Sequence, residues 1–354
     1  MDILTLMEPK VIKIAASNSD LKLAEEEVLV EVNRISLCGS DYKLFNGGYN
    51  GPSVYPLRFG HEWSGQTVEI GPGVKRIKKG DRVTGDCSIW CGNCPNCAED
   101  KNLCQNIEKY GITKDGFSQQ LKVVPEKYLY RAPSLLPYSV LALTEPFAVA
   151  LHAIHRLSSN PQPTSEGKTL IIGCGPIGIA IYILLKYYYR WVNLEIYDVV
   201  PERTALLQKL FPDGKIRHSP NHKNGLIEQQ SYGNLYASTD YPLIFEASGK
   251  IEALKTAIDL VKPRGSIISL GMFSPVVLDF GKIVMKAITV IGSIGGTGEF
   301  VEVLNFFEKN LNIIKPLVTA VFSYEDAEKA FYDGQNLKQN IKVQIQLSNG
   351  GKSE

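Results

Sequence analysis

The sequence predicts an α/β chain of two domains, an antiparallel β domain and a doubly wound parallel-sheet domain. Three observations predict it. A glycine turn, Gly173-Cys174-Gly175-Pro176-Ile177-Gly178, joins a short apolar strand to an apolar helix. Strand-like and helix-like stretches alternate from about 148 to 292, whereas residues 1–147 have strand texture alone. Four cysteines crowd into the fourteen positions from Cys91 to Cys104.

Taken in order, Glu27–Val32 and Trp63–Ile70 alternate as half-buried strands do, Gly71-Pro72-Gly73 is a turn, and Gly80-Asp81-Arg82-Val83 opens another strand. The second domain offers strands at Leu170–Ile172, Leu194–Tyr197, Leu243–Glu246, Ser266–Leu270 and Thr289–Ile291. Helical stretches Ile179–Lys186, Pro201–Phe211 and Ile251–Val261 lie between them. The polar segment from about 210 to 240 resists assignment. Two helices (Glu299–Lys309 and Tyr324–Gly334) and a strand (Lys342–Leu347) return the chain to the first domain, ahead of a polar tail expected to fray. The expected division is 1–147 with 293–354, and 148–292.

Composition bounds the function. At 354 residues the chain suits two domains, and its net charge of +1, scattered, gives no reason to expect nucleic acid or a membrane surface as partner. No apolar run reaches the ~20 residues of a membrane span, and Met1-Asp2-Ile3-Leu4-Thr5 lacks the basic and apolar regions of a secretory signal. Seven cysteines, an odd number with four clustered, fit a metal site in a reducing cytoplasm better than a disulfide framework.

The glycine turn has chemical content. Gly173 serves the tight turn, Gly175 lets a backbone approach a pyrophosphate, and Gly178 allows close helix–strand packing. Pro176 and Ile177 open the helix, whose N-terminal N–H groups suit phosphate. Asp198 ends the next strand, about 20 positions past the glycines, where an acidic residue holds ribose hydroxyls and repels a 2′-phosphate. NAD is therefore expected over NADP, although Arg203 argues mildly the other way. Ser248, Leu270, Met272, Ile291 and Ser293 end later strands and should line the same cofactor.

Cys91, Cys94, Cys97 and Cys104 stand at C-x2-C-x2-C-x6-C, the spacing of a closed tetrahedral four-cysteine zinc holding a surface lobe over about 87–105. An iron–sulfur cluster and chance clustering are the alternatives. Elsewhere Cys38, His61-Glu62 and Glu145 each have a dull reading alone: a small core residue, a turn, a carboxylate ahead of a helix start. Together they offer thiolate, imidazole and carboxylate, an open catalytic zinc site.

With Cys38-Gly39-Ser40-Asp41, Gly60-His61-Glu62, the four-cysteine lobe, Glu145-Pro146 and the glycine turn in this order, the whole chain resembles the zinc-dependent medium-chain alcohol dehydrogenase superfamily. Glu145 within Glu145-Pro146…Val149-Ala150-Leu151-His152 is similar to the polyol branch, which includes sorbitol, threonine and sugar-alcohol-phosphate dehydrogenases. Phe280-Gly281-Lys282-Ile283 before Thr289–Ser293 resembles galactitol-1-phosphate dehydrogenases. The resemblance implies a GroES-like catalytic domain beside a Rossmann domain, and a homodimer or homotetramer. It implies two Zn2+ per chain, the catalytic one on Cys38, His61 and Glu145, with Glu62 able to replace a ligand. Asp41 would fix the ring of His61. Ser40 would take the proton of a small-molecule alcohol whose hydride passes to NAD. Family members often carry a histidine where this chain has Lys43, so Lys43 either relays that proton, meets a substrate phosphate or is simply solvated. Tyr49, Phe59 and Phe117 are candidate pocket walls or core residues, and Arg58 with Lys43 a candidate positive corner. The expected substrate is a secondary alcohol of a polyol or sugar alcohol, with or without phosphate. L-threonine, a cyclitol or amino-cyclitol, and a catalytically silent structural or redox-sensing zinc protein are the alternatives.

Overall fold

The computed structural model describes residues 2–16, 21–133, 135–159, 167–218, 232–237, 241–273, 275–336 and 338–348. The chain forms two compact units, Met1–Ala148 with Gly295–Glu354, and Val149–Ile294.

The first unit contains strands β1 (Asp2–Glu8), β2 (Val11–Ala16), β3 (Glu27–Ser36), β4 (Glu62–Ile70), β5 (Arg82–Gly85), β6 (Ser88–Ile89), β7 (Glu108–Lys109), β8 (Leu121–Pro125) and β9 (Leu129–Arg131). The second holds β10 (Thr169–Ile172), β11 (Leu194–Tyr197), β12 (Lys215–Arg217), β13 (Tyr241–Glu246), β14 (Val261–Ser269) and β15 (Thr289–Gly292). The chain then returns to the first unit with β16 (Val318–Ser323) and β17 (Lys342–Gln346).

In the first unit a seven-stranded sheet runs β16-β17-β3-β4-β5-β9, with β8 also on β3. Its pairs are antiparallel except β16–β17, which is parallel, a departure from the all-antiparallel expectation. The helix Ala327–Gly334 between those two strands makes the crossover a parallel pair requires. The core gathers Leu4, Val28, Val30, Val32, Ile35, Phe45, Phe59, Trp63, Phe117, Phe331 and Ile345. Trp63 stacks on Phe117 at 4.0 Å and Phe45 on Phe331 at 4.6 Å.

In the second unit six parallel strands run β12-β11-β10-β13-β14-β15. The β10 residues are all buried, as a strand covered on both faces must be. The predicted helix after the glycine turn is Pro176–Ile183, followed by one π-helical turn, Leu184–Tyr188. Of the unassigned 210–240 segment, β12 and a helix at Tyr232–Ala237 are seen. Residues 219–231 and 238–240, and the tail from 349 on, lie outside the described residues. Among the described residues no helix is long and apolar enough to cross a membrane.

Candidate active site and metal centres

One carboxylate ties together two separate segments of the first unit. Cys38 is the N-cap of the helix Gly39–Phe45, and Asp41 lies fully buried in that helix's first turn. Asp41 Oδ2 accepts from the Cys38 N–H at 2.9 Å, and Oδ1 accepts from the Gly60 N–H at 3.2 Å. Charge-assisted bonds of this kind are strong and directional. Gly60 sits at φ +82°, and a Cβ there would stand 2.6 Å from Ile35 Cγ2, so only glycine fits ahead of His61. The ligand atoms of Cys38, His61 and Glu62 consequently all lie within 4.8 Å of one another. Ser40 Oγ is 3.3 Å from His61 Nε2, and Asp41 Oδ1 is 3.7 Å from His61 Nδ1.

Burial alone would depress the His61 pKa. Asp41, then Cys38 and Glu145, overcome that and lift it to about 10. Such an excess of anionic groups around a buried imidazole is the environment a dication satisfies, since metal displaces the ring proton. Glu62, at 1 % exposure, forms an ion pair with Lys342, whose Nζ also donates to the Leu37 carbonyl at 3.1 Å. Burial opposes charge on Lys342, but Glu62 first, then Cys38 and Glu145, hold it protonated.

Glu145 lies in the first turn of the helix Thr144–His155, and is not among the three residues whose donor atoms all lie within 4.8 Å of one another. Its Oε1 accepts from the buried Cys87 thiol at 3.3 Å, while its charge still acts on His61 and Glu62. Lys43 is exposed on the last turn of its short helix. Arg58, expected as part of a positive corner, donates to Gln119 Oε1 at 2.6 Å and faces Asp115 at 3.6 Å. Phe59 and Phe117 are core residues, and Tyr49 is half-buried against that core. Sequence reasoning missed Lys342 and Cys87. Lys342 opens an alternating strand like any surface lysine, and Cys87 is a single thiol beside the cysteine lobe. The thiol, imidazole and carboxylates present fit Zn2+.

In the lobe, the sulfurs of Cys91–Cys104, Cys91–Cys97 and Cys94–Cys104 are 3.5, 3.9 and 4.0 Å apart. Four thiolates about 2.3 Å from one tetrahedral ion have S···S edges of about 3.8 Å, so the lobe has the dimensions of a four-thiolate zinc site. Cys91 N–H and Asn106 N–H both point at Cys104 Sγ at 3.3 Å, and Gln105 N–H at Cys94 Sγ at 3.5 Å. The Asn93 N–H leads in drawing Cys91 down to about 6, and that of Gln105 lowers Cys94, which favours these two thiolates, whereas burial pushes Cys97 up to about 12.

In the second unit the strand ends form one rim. Ile172 is in register with Tyr197 and Glu246, Glu246 with Ser269, and Ser269 with Gly292. Gly173, Asp198, Ala247-Ser248, Leu270 and Ser293 therefore follow side by side at the carboxyl edge, with Ile291 half-buried in β15 and Met272 exposed nearby. The strand order reverses between β10 and β13, and Gly173, at φ +110°, packs there against Ser248 N. A Cβ on Gly178 would stand 1.9 Å from Gly173 O, whereas one on Gly175 would meet nothing nearer than Arg203 Nη1 at 4.0 Å. The turn is thus closed behind and open in front. Pro176 and Ile177 begin the helix behind it. Asp198 Oδ2 accepts from Cys174 N–H at 2.8 Å, Oδ1 from Val200 N–H at 2.9 Å, and Arg203 Nη1 lies 3.5 Å away. Ser248 N–H and Oγ both donate to the buried Glu246, at 2.8 and 2.6 Å. An open glycine turn at a strand-order reversal fits a dinucleotide.

Comparison with known proteins agrees with this geometry. Residues 24–134 match the family model described as Alcohol dehydrogenase GroES-like domain, and 196–309 that described as Zinc-binding dehydrogenase. The chain is 30% identical over 275 residues to D-arabitol-phosphate dehydrogenase of Enterococcus avium, covering 76% of this chain and 75% of that one. It is 29% identical over 315 residues to sorbitol dehydrogenase of Halalkalibacterium halodurans, covering 87% and 88%. Among solved structures it resembles the alcohol dehydrogenase RspB of Escherichia coli CFT073, complexed with NADH, with a TM-score of 0.83 and 26% identity, over 98% of this chain and 99% of that one.

Proposed function

Because this chain belongs to the zinc-dependent medium-chain alcohol dehydrogenase superfamily, and is an NAD(P)-dependent oxidoreductase, we propose that it oxidises a secondary alcohol of a polyol or sugar alcohol with NAD. The observation that carries this reading is the cluster of Cys38, His61 and Glu62 donor atoms with Ser40 Oγ beside the imidazole. In this reading Cys38, His61 and Glu145 hold the catalytic zinc, and Cys91, Cys94, Cys97 and Cys104 a second. When bound, the zinc supplies a Lewis acid for the substrate oxygen and the nicotinamide accepts the hydride. The protein's own residues do the rest. Ser40 receives the hydroxyl proton, at an oxygen already within reach of the His61 ring. Asp41 fixes the Cys38 and Gly60 backbones. Lys342 neutralises Glu62 and holds it beside the ligands.

NAD is favoured over NADP because Asp198 faces the turn as a carboxylate, and Arg203 lies against it. Self-association through β15, the end strand of its sheet, is supported by Val290, 45% exposed on it, since an apolar edge needs cover. The seven free cysteines suit a cytoplasmic setting.

The test is initial-rate NAD+ reduction with sorbitol, xylitol, ribitol, galactitol, their phosphates, myo-inositol and L-threonine. Turnover on a polyol that a chelator abolishes is the expected result. Chelator-insensitive turnover, or activity on L-threonine alone, would overturn the reading.

A further inference from the structure

Glu246 ends β13, beside the strand-order reversal, and is fully buried. Its Oε1 accepts from the Ser248 N–H at 2.8 Å, the Ser248 hydroxyl at 2.6 Å and the Gly249 N–H at 3.0 Å. Ser248 Oγ itself accepts from the Lys250 N–H at 3.1 Å, at the N-cap of the helix Ile251–Leu260. One carboxylate oxygen thus holds the turn that leads from β13 into that helix, with Gly249 at φ +67°. The other oxygen meets the next turn: a Cβ on Gly271 would stand 2.6 Å from Glu246 Oε2 and 2.5 Å from Gly249 Cα. On the other side a Cβ on Gly173 would stand 3.0 Å from Ser248 N. The turns after β10, β13 and β14 therefore pack closely about Glu246. Burial raises the pKa of Glu246, and the Ser248 donors with the Gly249 and Gly271 N–H groups oppose that rise. A carboxylate at full burial costs stability, and no role described so far uses this one.

Topology says which part of a dinucleotide this turn faces. In the proposed reading Asp198, after β11, takes the adenosine ribose, and the glycine turn after β10 takes the pyrophosphate. The other half, nicotinamide and its ribose, then runs to the far side of the reversal, across the ends of β13, β14 and β15. Ser248 is exposed on that rim, yet its N–H and its hydroxyl are both turned inward to Glu246. We propose that Glu246 is a positioning residue for the nicotinamide half of the cofactor, fixing the Ser248–Gly249 turn against Gly271. This rests on the NAD-binding reading above.

The test measures dissociation constants for NADH, by fluorescence, and for AMP, by calorimetry, in the full-length enzyme and its Glu246→Leu and Glu246→Gln variants. Leucine fills the space and removes the acceptor, whereas glutamine keeps an acceptor oxygen without the charge. NADH binding should weaken about tenfold in Glu246→Leu, the worth of one well-placed hydrogen bond to a ligand. It should weaken about threefold in Glu246→Gln, because bonds to a neutral acceptor are roughly half as strong. AMP, which lacks the nicotinamide half, should bind both variants as it binds wild type. A structural role alone would weaken both ligands together, so equal losses on NADH and AMP, or a larger loss on AMP, would overturn the assignment. Where Glu246→Leu does not fold, the NADH-against-AMP split in Glu246→Gln decides. The wild-type affinities separate the two readings. A wild type that binds neither ligand overturns the dinucleotide reading and this inference with it. A wild type that binds both, with the ratio of their affinities kept in the folded variants, overturns this inference alone.

Discussion

Asp198 holds the glycine turn together and, in the proposed reading, also sets cofactor choice. Its two oxygens accept from Cys174 and Val200 N–H groups, which places a carboxylate at the open side of the glycine turn. Like charges brought together cost several kcal/mol, so Asp198→Ala should shrink the NAD-over-NADP ratio of kcat/KM by roughly tenfold or more. An unchanged ratio would remove Asp198 from cofactor choice. Two buried lysines predict a pH effect on stability. Burial pushes Lys122, over the Tyr110 and Phe117 rings, down to about 8, and does the same to Lys286, whose Nζ caps two helix carbonyls. Below about pH 8 both groups are protonated in folded and unfolded chains alike. Between about 8 and the ordinary lysine value near 10.4 these two groups bind more protons in the unfolded chain, so their own contribution to stability rises with pH, while the raised His61 and the buried Cys87 and Cys174 thiols act in the opposite direction. The lysine contribution is read as a difference: denaturant titrations across that window should show wild-type stability gaining on that of a Lys122→Met, Lys286→Met double variant as pH rises, and a constant difference would contradict it. Residues whose chemistry is specific to their type were legible in the sequence: Asp198, Cys38, His61. Lys342 and Cys87 were not, because their meaning comes from partners 280 and 58 positions away.

Elements were legible where local chemistry forces them. The strand, glycine turn and helix around Gly173 follow from steric needs that no other residue meets. The cysteine spacing likewise announces a lobe in which four thiols converge where an apolar core would otherwise stand. Cys94→Ser should therefore lose one zinc and lower Tm by roughly 10 °C, in line with the loss of a structural metal ligand, while leaving catalytic chemistry less affected. A variant as stable as wild type with one zinc fewer would contradict that role. Less legible was the π-helical turn Leu184–Tyr188, where the apolar pattern continues as if the α-helix did. Strand β16 was also hidden, since its half-buried edge position leaves only a weak alternation.

For the whole molecule, the sequence texture separates a β-rich unit from a parallel α/β unit, and the structure divides the chain at 148/149 and 294/295. What texture does not carry is strand direction. The parallel β16–β17 pair depends on the intervening helix Ala327–Gly334, a tertiary fact. Nor does it carry the contact between Glu145, in the first turn of its helix, and Cys87, 58 positions away. Everything proposed for the reaction depends on a zinc held by Cys38, His61 and Glu145, without which NAD-linked alcohol oxidation should stop. The most direct test measures zinc per chain and NAD+ reduction together in wild type and in His61→Ala. Two zincs falling to one, with turnover lost and the fold kept, is the predicted result. A His61→Ala enzyme that keeps its zinc, or keeps its rate, would contradict it.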